Sequence, residues 1–538
     1  MGENTEVLIV GAGPVGLTMA LECARHDVAF RIVDSAPVPS DKSKALAIWS
    51  AAQEVFAVMG VVDRMHAEGL KPGGIRVCSH ARQLAGVPFD GRVDSPYPDL
   101  LILPQSLTER ILLDRLGELG HAVERPFEWV NAKEENGLWL STLRGGDGRE
   151  FTVGSRFLVG CDGAHSAVRH FVGATFHGRA MPECFVLCDA EISAPRPIPQ
   201  DVHLFVSSQG PMPVFPIRER VWRIISSRGP AEGTAPPTLE EMQEHVDCRG
   251  PGNWKLSNPE WLACFKVSER KVDRFRHGNI LLAGDAAHIH SPAGGQGMNT
   301  GVQDAFNLAW KLGAILRQGA SPECLLESYH DERSPVAADV IATAGFRLRA
   351  AVLSRGPLAW MRNALAVLVG RSESARTRLV HSLSGTGIRY QSGPAILKDD
   401  RWHEDWLHHG FPPGLRIRDV RLVSEGIEIS LLHEVMKSRR HTLLLFSGRK
   451  PNYRDADLLE GLRTEAANAT TLMTSLAIWQ GDHAPDDSWL TDPDGSVHRR
   501  FGVDQPSACV VRPDGVVMAR SQPAVAALVT DVLARLRN

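Results

Sequence analysis

The chain has 538 residues, is 43% hydrophobic and 23% charged, and carries a net charge of −4. It is too long for one core, ordinary in composition for a globular protein, and lacks the basic excess that nucleic acid or an anionic membrane attracts. Its nine scattered cysteines form no CxxC, which argues against a disulfide framework or a zinc ribbon and fits free thiols in a reducing cytoplasm.

Glu6 to Val10 reads as a buried strand that runs into Gly11-Ala12-Gly13-Pro14-Val15-Gly16 and then into apolar residues at helical spacing through Ala24. The first apolar run leads into glycines, so it reads as a strand and not a signal peptide. No run of about 18 apolar residues follows, so no membrane span is expected. Phe30 to Val33 forms a second strand ending in Asp34, 18 residues beyond Gly16. A carboxylate there accepts from a ribose 2′-hydroxyl and repels a 2′-phosphate, so the pattern predicts an adenine dinucleotide of the FAD or NAD kind.

Leu101 to Gln105 ends an apolar run before a helix over Leu107 to Leu119, and strands follow from Val123 to Phe157 with a turn at Gly145-Gly146-Asp147-Gly148. A second acidic turn, Asp162-Gly163, opens Ala164-His165-Ser166-Ala167-Val168-Arg169. From Met181 to Phe275 the pattern becomes alternating strands, Val202 to Val206, Val214 to Ile217, Val221 to Ser226 and Cys264 to Val267, which predicts a mostly antiparallel sheet. Ile280 to Ala283 is a short strand. After it come Gly284-Asp285, a loop carrying Gly294, Gly295 and Gly297, and apolar residues at helical spacing from Val302 to Leu316.

A glycine-rich loop at a helix start exposes N–H groups and the positive dipole end to something anionic. His288 and His290 have no third or fourth ligand in register, so no metal is expected. Ala338 to Leu383 is helical and rich in arginine, which reads as charge on solvated faces. After a boundary over Trp402 to Pro413 comes the order β-α-β-β-β-α, which suggests a thioredoxin-like domain without CxxC.

GAGPVG, CDGAHSAVR and GDAAHIHSPAGGQGMNTGVQDA, in that order, resemble the three motifs of the FAD-dependent aromatic hydroxylases, the single-component flavoprotein monooxygenases. With its third domain the chain resembles the branch that includes phenol hydroxylase and the hydroxylases of aromatic polyketides. The resemblance implies mixed α/β and α+β architecture. A glutathione-reductase-like FAD-binding Rossmann domain (1–180, with a substrate-domain segment near 72–98, and 276–400) carries an inserted mostly antiparallel substrate sheet (181–275). The thioredoxin-like domain spans 412–538.

The resemblance further implies that Gly11, Gly13, Pro14, Val15 and Gly16 hold the pyrophosphate and that Asp34 holds the ribose. Lys44 and Gln105 would lie along the FAD chain. Asp162 would be shared with the nicotinamide, Asp285 would hold the ribityl or phosphate portion, and Pro292, Gly295, Gly297, Met298 and Asn299 would line the isoalloxazine. The implied cycle takes hydride from transiently bound NADH or NADPH, adds O2 at flavin C4a and transfers the distal hydroxyl to an activated ring.

For the substrate side, Pro292, Trp49, His203, Arg218 and Trp222 are the candidate catalytic residues, with Arg223 beside them. None of the four tyrosines falls in the strands from Val202 to Ser226. The expectation is a cytoplasmic monomer or homodimer acting on a small aromatic substrate, with no nucleic-acid or membrane partner. The alternatives left open are an FAD oxidoreductase that inserts no oxygen, halogenases among them, and a non-catalytic flavoprotein that sequesters an aromatic intermediate.

Overall fold

The computed structural model describes residues 4–89, 91, 93–228, 233–352, 356–391, 393–397, 410–424, 427–469 and 471–538. Part of the expected boundary at Trp402 to Pro413, and Arg355 of the arginine-rich stretch, lie outside these residues. Among the described residues no helix is long and apolar enough to cross a membrane.

Three sheets organise the chain. In the first, Thr5–Val10 lies between Phe30–Val33 and Glu150–Gly160, parallel to both, and Ile280–Leu282 joins parallel on the far side of Glu150–Gly160. These strands are almost continuous apolar runs because both of their faces are buried, in part under the helices Pro14–Arg25 and Gly297–Arg317, which pack against each other. The C-terminal ends of three strands, at Val10, Gly160 and Leu282, therefore fall side by side. Each is followed by a glycine or acidic turn, the edge at which open α/β sheets bind ligands.

The second sheet has eight strands, in the order His288–Ile289, Lys255–Val272, Phe176–Ser193, Val221–Arg228, Gly210–Pro216, Val202–Ser207, Gly74–Ser79 and Arg82–Pro88. It is antiparallel except where Val202–Ser207 runs parallel to Gly74–Ser79. Two of its strands are 18 residues long, and Phe176–Ser193 runs straight through the boundary expected at 180/181. The helix Leu239–Arg249, which the strand pattern hid, covers one face.

The arginine-rich region folds as three helices, Pro322–Val352, Gly356–Arg371 and Glu373–Ser384. In the third sheet, His441–Phe446 pairs parallel with Met473–Gln480 and antiparallel with Ser507–Val511. Three further strands, Arg421–Ser424, Ile427–Ser430 and Trp489–Asp492, extend it beyond the expected order.

Candidate active site

The first turn is shaped by close backbone contact. Gly11 sits at φ +100°, where a Cβ would lie 2.4 Å from the Cys161 carbonyl oxygen and 2.8 Å from Asp162 Cα, and a Cβ on Gly16 would lie 1.9 Å from the Gly11 oxygen. Gly13 differs: nothing lies within 4 Å of its Cβ position. It precedes the helix Pro14–Arg25, whose start has no side-chain cap to take up its first N–H groups.

Asp34 holds this turn. Its Oδ2 accepts from Ala12 N–H at 2.7 Å, and its Oδ1 accepts from Ala36 N–H at 2.8 Å and from Arg125 at 2.7 Å. Arg125 was invisible in the sequence because it lies 91 residues away with no motif around it.

Val15 joins this turn to the third motif. Its methyl groups fill a notch at Gly284 and Gly301, where a Cβ would come within 2.8 and 2.6 Å of them. Asp162 Oδ2 accepts from Val168 N–H at 3.2 Å, whereas its Oδ1 is buried without a protein partner. Burial pushes the Asp162 carboxyl up, against the pull of Ser166 and Val168. Asp285 is reached by water yet surrounded by protein, so it lines a cleft and not the outer surface.

Gln105 spends its side chain locally. Its Oε1 accepts from Ala45 N–H at 3.1 Å and its Nε2 donates to Glu109 at 2.8 Å, which fixes the segment presenting the exposed Lys44. Two uncapped helix starts, an open glycine and an orphaned buried carboxylate oxygen fit a large anionic dinucleotide such as FAD.

The loop after His290 is pinned from both sides. Gly294 and Gly295 take φ of +110° and +62°, and Gly295 N–H donates to the Pro292 oxygen at 2.9 Å. The Trp49 indole N–H donates to the Gly294 oxygen at 2.8 Å, and Trp49 N–H donates to Asn299 Oδ1 at 2.7 Å. Asn299 Nδ2 donates in turn to the Ala47 and Gly295 oxygens, each at 2.8 Å.

Trp49 is therefore buried and tied into the loop, with its ring edge-on to Phe89 at 5.7 Å. From behind, Arg347 donates to Gln296 Oε1 at 2.9 Å and to Ser382 Oγ at 2.6 Å, so this arginine does not lie on a solvated face. Pro292 stays exposed, and the helix Gly297–Arg317 starts without a side-chain cap, so Gly297 and Met298 turn free N–H groups outward.

Three of the substrate-side candidates face elsewhere. His203 and Trp222 belong to an apolar cluster with Phe205, Trp254, Met242 and Val246 under the helix Leu239–Arg249, and His203 Nε2 lies 2.9 Å from the Pro199 oxygen. Arg218 is exposed in a turn and paired with Glu260. Strand alternation gives the opposite face to their neighbours. Phe185, Ile225 and Phe265 cluster with Ala293 of the loop and Leu348, and Phe215 clusters with Trp49. Phe185 and Phe265 stack at 6.0 Å. Arg223, on this face, is buried and held by Asp189 through two bonds of 2.8 and 2.6 Å, with its guanidinium 5.0 Å from the Trp261 ring.

Comparison with known proteins agrees with this geometry. The family model described as "FAD binding domain" matches residues 4–344. The chain is 32% identical to 6-methylpretetramide 4-monooxygenase of Streptomyces rimosus, over 97% of this chain and 91% of that protein. It is 29% identical to pentachlorophenol 4-monooxygenase of Sphingobium chlorophenolicum, over 96% of this chain and 94% of that protein. Among solved structures it is similar to aklavinone-11 hydroxylase in its ternary complex with FAD and aklavinone, with a TM-score of 0.79 at 25% identity, over 100% of this chain and 99% of that one.

Proposed function

The chain belongs to the FAD-binding-domain family of flavin-dependent aromatic monooxygenases, and on that premise we propose that it hydroxylates a flat, fused-ring phenol of the aromatic-polyketide kind. It is an FAD-dependent hydroxylase of an aromatic ring that consumes NAD(P)H and O2. The observation that carries the reading is the way glycine contacts bring three motifs, distant in sequence, onto one sheet edge: Gly11 on Cys161 and Asp162, and Gly284 and Gly301 on Val15.

In this reading the pyrophosphate lies over Gly11 to Gly16, the ribose on Asp34, the FAD chain along Lys44, Gln105, Asp162 and Asp285, and the ring against Pro292 to Asn299. FAD, when bound, supplies reduction by NAD(P)H and activation of O2. The chain's own part is electrostatic and steric. The start of the helix Gly297–Arg317 offers uncapped N–H groups and a positive dipole end to negative charge on the ring edge, without reorganisation at the moment of reaction. Phe215, Ile225 and Phe265 offer a flat substrate an apolar wall and keep water from the reacting face. The charge on Arg223 is already neutralised by Asp189, so this wall has no free cation to select a carboxylated substrate.

We read the third module as thioredoxin-like. Cys509 is its one cysteine, so it has no dithiol chemistry of its own.

The test incubates the purified protein with NADH or NADPH and a graded series of phenols, catechols and fused-ring hydroxyquinones. The expected result is faster NAD(P)H oxidation and a product heavier by one oxygen, strongest for fused rings. A preference for single-ring phenols overturns the substrate class, and NAD(P)H oxidation yielding only peroxide with every aromatic overturns oxygen insertion.

A further inference from the structure

Between the first and third sheets lies a fully buried ionic network. Arg512, on the turn of the hairpin Ser507–Val511 and Val517–Ser521, donates to Glu332 Oε1 at 2.6 Å and Oε2 at 2.8 Å, and to Asp514 Oδ1 at 3.0 Å. Lys311 Nζ and Asn307 Nδ2 reach the same Glu332 at 3.0 and 2.8 Å, and Asn307 reaches Asp514 at 3.1 Å.

One residue further along, Arg333 donates to Asp304 Oδ1 at 2.7 Å, to the Thr300 oxygen at 3.1 Å and to the Tyr390 hydroxyl at 3.2 Å. Asp304 Oδ2 lies 2.6 Å from His288 Nε2 and accepts from Gly284 N–H at 3.2 Å. Three carboxylates (Asp304, Glu332, Asp514) thus balance three cations (Lys311, Arg333, Arg512). Asn307 Nδ2 also reaches the Tyr390 hydroxyl at 3.5 Å, so the bonds run from the third module to the turn that carries Asp285 and to the first turn of the helix Gly297–Arg317.

Buried ion pairs are a poor way to hold two modules together, since apolar packing of the same volume is usually as stable or more so. What they do fix is direction: each charged partner is held by several bonds of set geometry, which few other arrangements would reproduce. We propose that Arg512, Arg333 and Asp304 are positioning residues for the flavin, so that the third module is a working part of the FAD site. The proposal rests on the reading of the Gly284–Asp285 turn as part of that site.

The test uses the full-length holoenzyme with Arg512→Lys, Tyr390→Phe and, as control, Arg439→Ala, which breaks the exposed Arg439–Asp27 pair across the same module boundary. FAD affinity, the flavin absorption spectrum and the share of NAD(P)H oxidation released as peroxide are measured well below each melting temperature. In Arg512→Lys and Tyr390→Phe we expect FAD to bind about tenfold more weakly, the size seen when an outer supporting contact of a bound centre is lost, with a shifted flavin spectrum and more peroxide. Arg439→Ala should match wild type.

If both network variants melt earlier yet keep wild-type affinity, spectrum and peroxide share, the network is only structural and the proposal fails. It fails equally if Arg439→Ala loosens FAD as much as they do. Should Arg512→Lys not fold, Tyr390→Phe decides alone, because it removes one hydroxyl and no charge. A wild-type protein that binds no FAD overturns the functional reading instead, which keeps the two failures distinct.

Discussion

Gly13 and Gly16 stand three residues apart in one turn, and alanine should act on them in opposite ways. A helix-interior glycine usually gains about 1 kcal/mol on replacement by alanine. At Gly16, however, the new Cβ would lie 1.9 Å from the Gly11 oxygen, where an ordinary carbon–oxygen contact needs about 3.3 Å. The turn must open by more than an ångström, and overpacking of that kind destabilises by about 1–3 kcal/mol, so Gly16→Ala should lower the stability of the apoprotein itself.

Gly13 has open space and φ −76°, which alanine adopts without strain. There the apoprotein should change by no more than about 1 kcal/mol, the ordinary loss for alanine at a helix N-cap. If the pyrophosphate lies over the turn, the methyl of Gly13→Ala occupies its approach, and affinity for FAD should fall about a hundredfold, or about 2.7 kcal/mol. Titration by flavin fluorescence gives the affinity, and melting with and without FAD separates the two effects, because a ligand at free concentration L adds stability as RT ln(1 + L/Kd) on top of that of the apoprotein. Full FAD affinity in Gly13→Ala would refute the placement of the pyrophosphate. An apoprotein of Gly16→Ala as stable as wild type would refute the contact argument.

Two further outcomes are expected. Trp49→Phe keeps an aromatic ring against Phe89 but leaves the Gly294 oxygen without its indole donor, a loss of about 1 kcal/mol at the loop. The substrate KM should rise more than the FAD dissociation constant, and equal changes in both would contradict a role at the substrate face. Glu332 is buried, which by itself raises a carboxyl, but Arg512 and Lys311 overcome this and hold it down at about 2. A depressed carboxylate contributes stability that is complete above its unfolded value near 4.5 and is lost as pH falls from there toward 2. The urea-denaturation difference between wild type and Glu332→Gln should therefore be largest at neutral pH, up to about 3 kcal/mol, and shrink below pH 4.5; a difference independent of pH would show that Glu332 is not charged in the folded protein.

The three turns that meet at the candidate site were legible in the sequence because their information is local. Gly11 to Gly16, Asp162-Gly163 and Gly284-Asp285 each follow a buried strand directly, and the parallel register aligns those strand ends whatever the intervening chain does. The substrate half was not legible, for a physical reason. Val202–Ser207 and Val221–Arg228 are largely buried on both faces, so period-two alternation shows that a side chain points up or down but not which face meets the flavin loop. His203 and Trp222 therefore looked like site residues while Phe215, Ile225 and Phe265 did not. Arg347 and Arg512 were missed for the opposite reason. Sequence reasoning assigns a lone arginine to solvent, and only the fold shows that their partners are remote in sequence, Gln296 in the glycine loop and Glu332 on the helix Pro322–Val352.

These errors share a direction. The buried arginines of this protein are neutralised behind the site and do not enter it. Arg223 is cancelled by Asp189, Arg333 by Asp304, and Arg512 by Glu332 and Asp514. What packs against the loop after His290 from the second sheet is aromatic and aliphatic, and the two helices at the edge of the first sheet begin without side-chain caps. A site built this way polarises through fixed peptide dipoles in a dry environment, where their effect is larger than in water. The buried ion pairs then have a consistent meaning: they hold the turns and helix starts whose backbone does the electrostatic work.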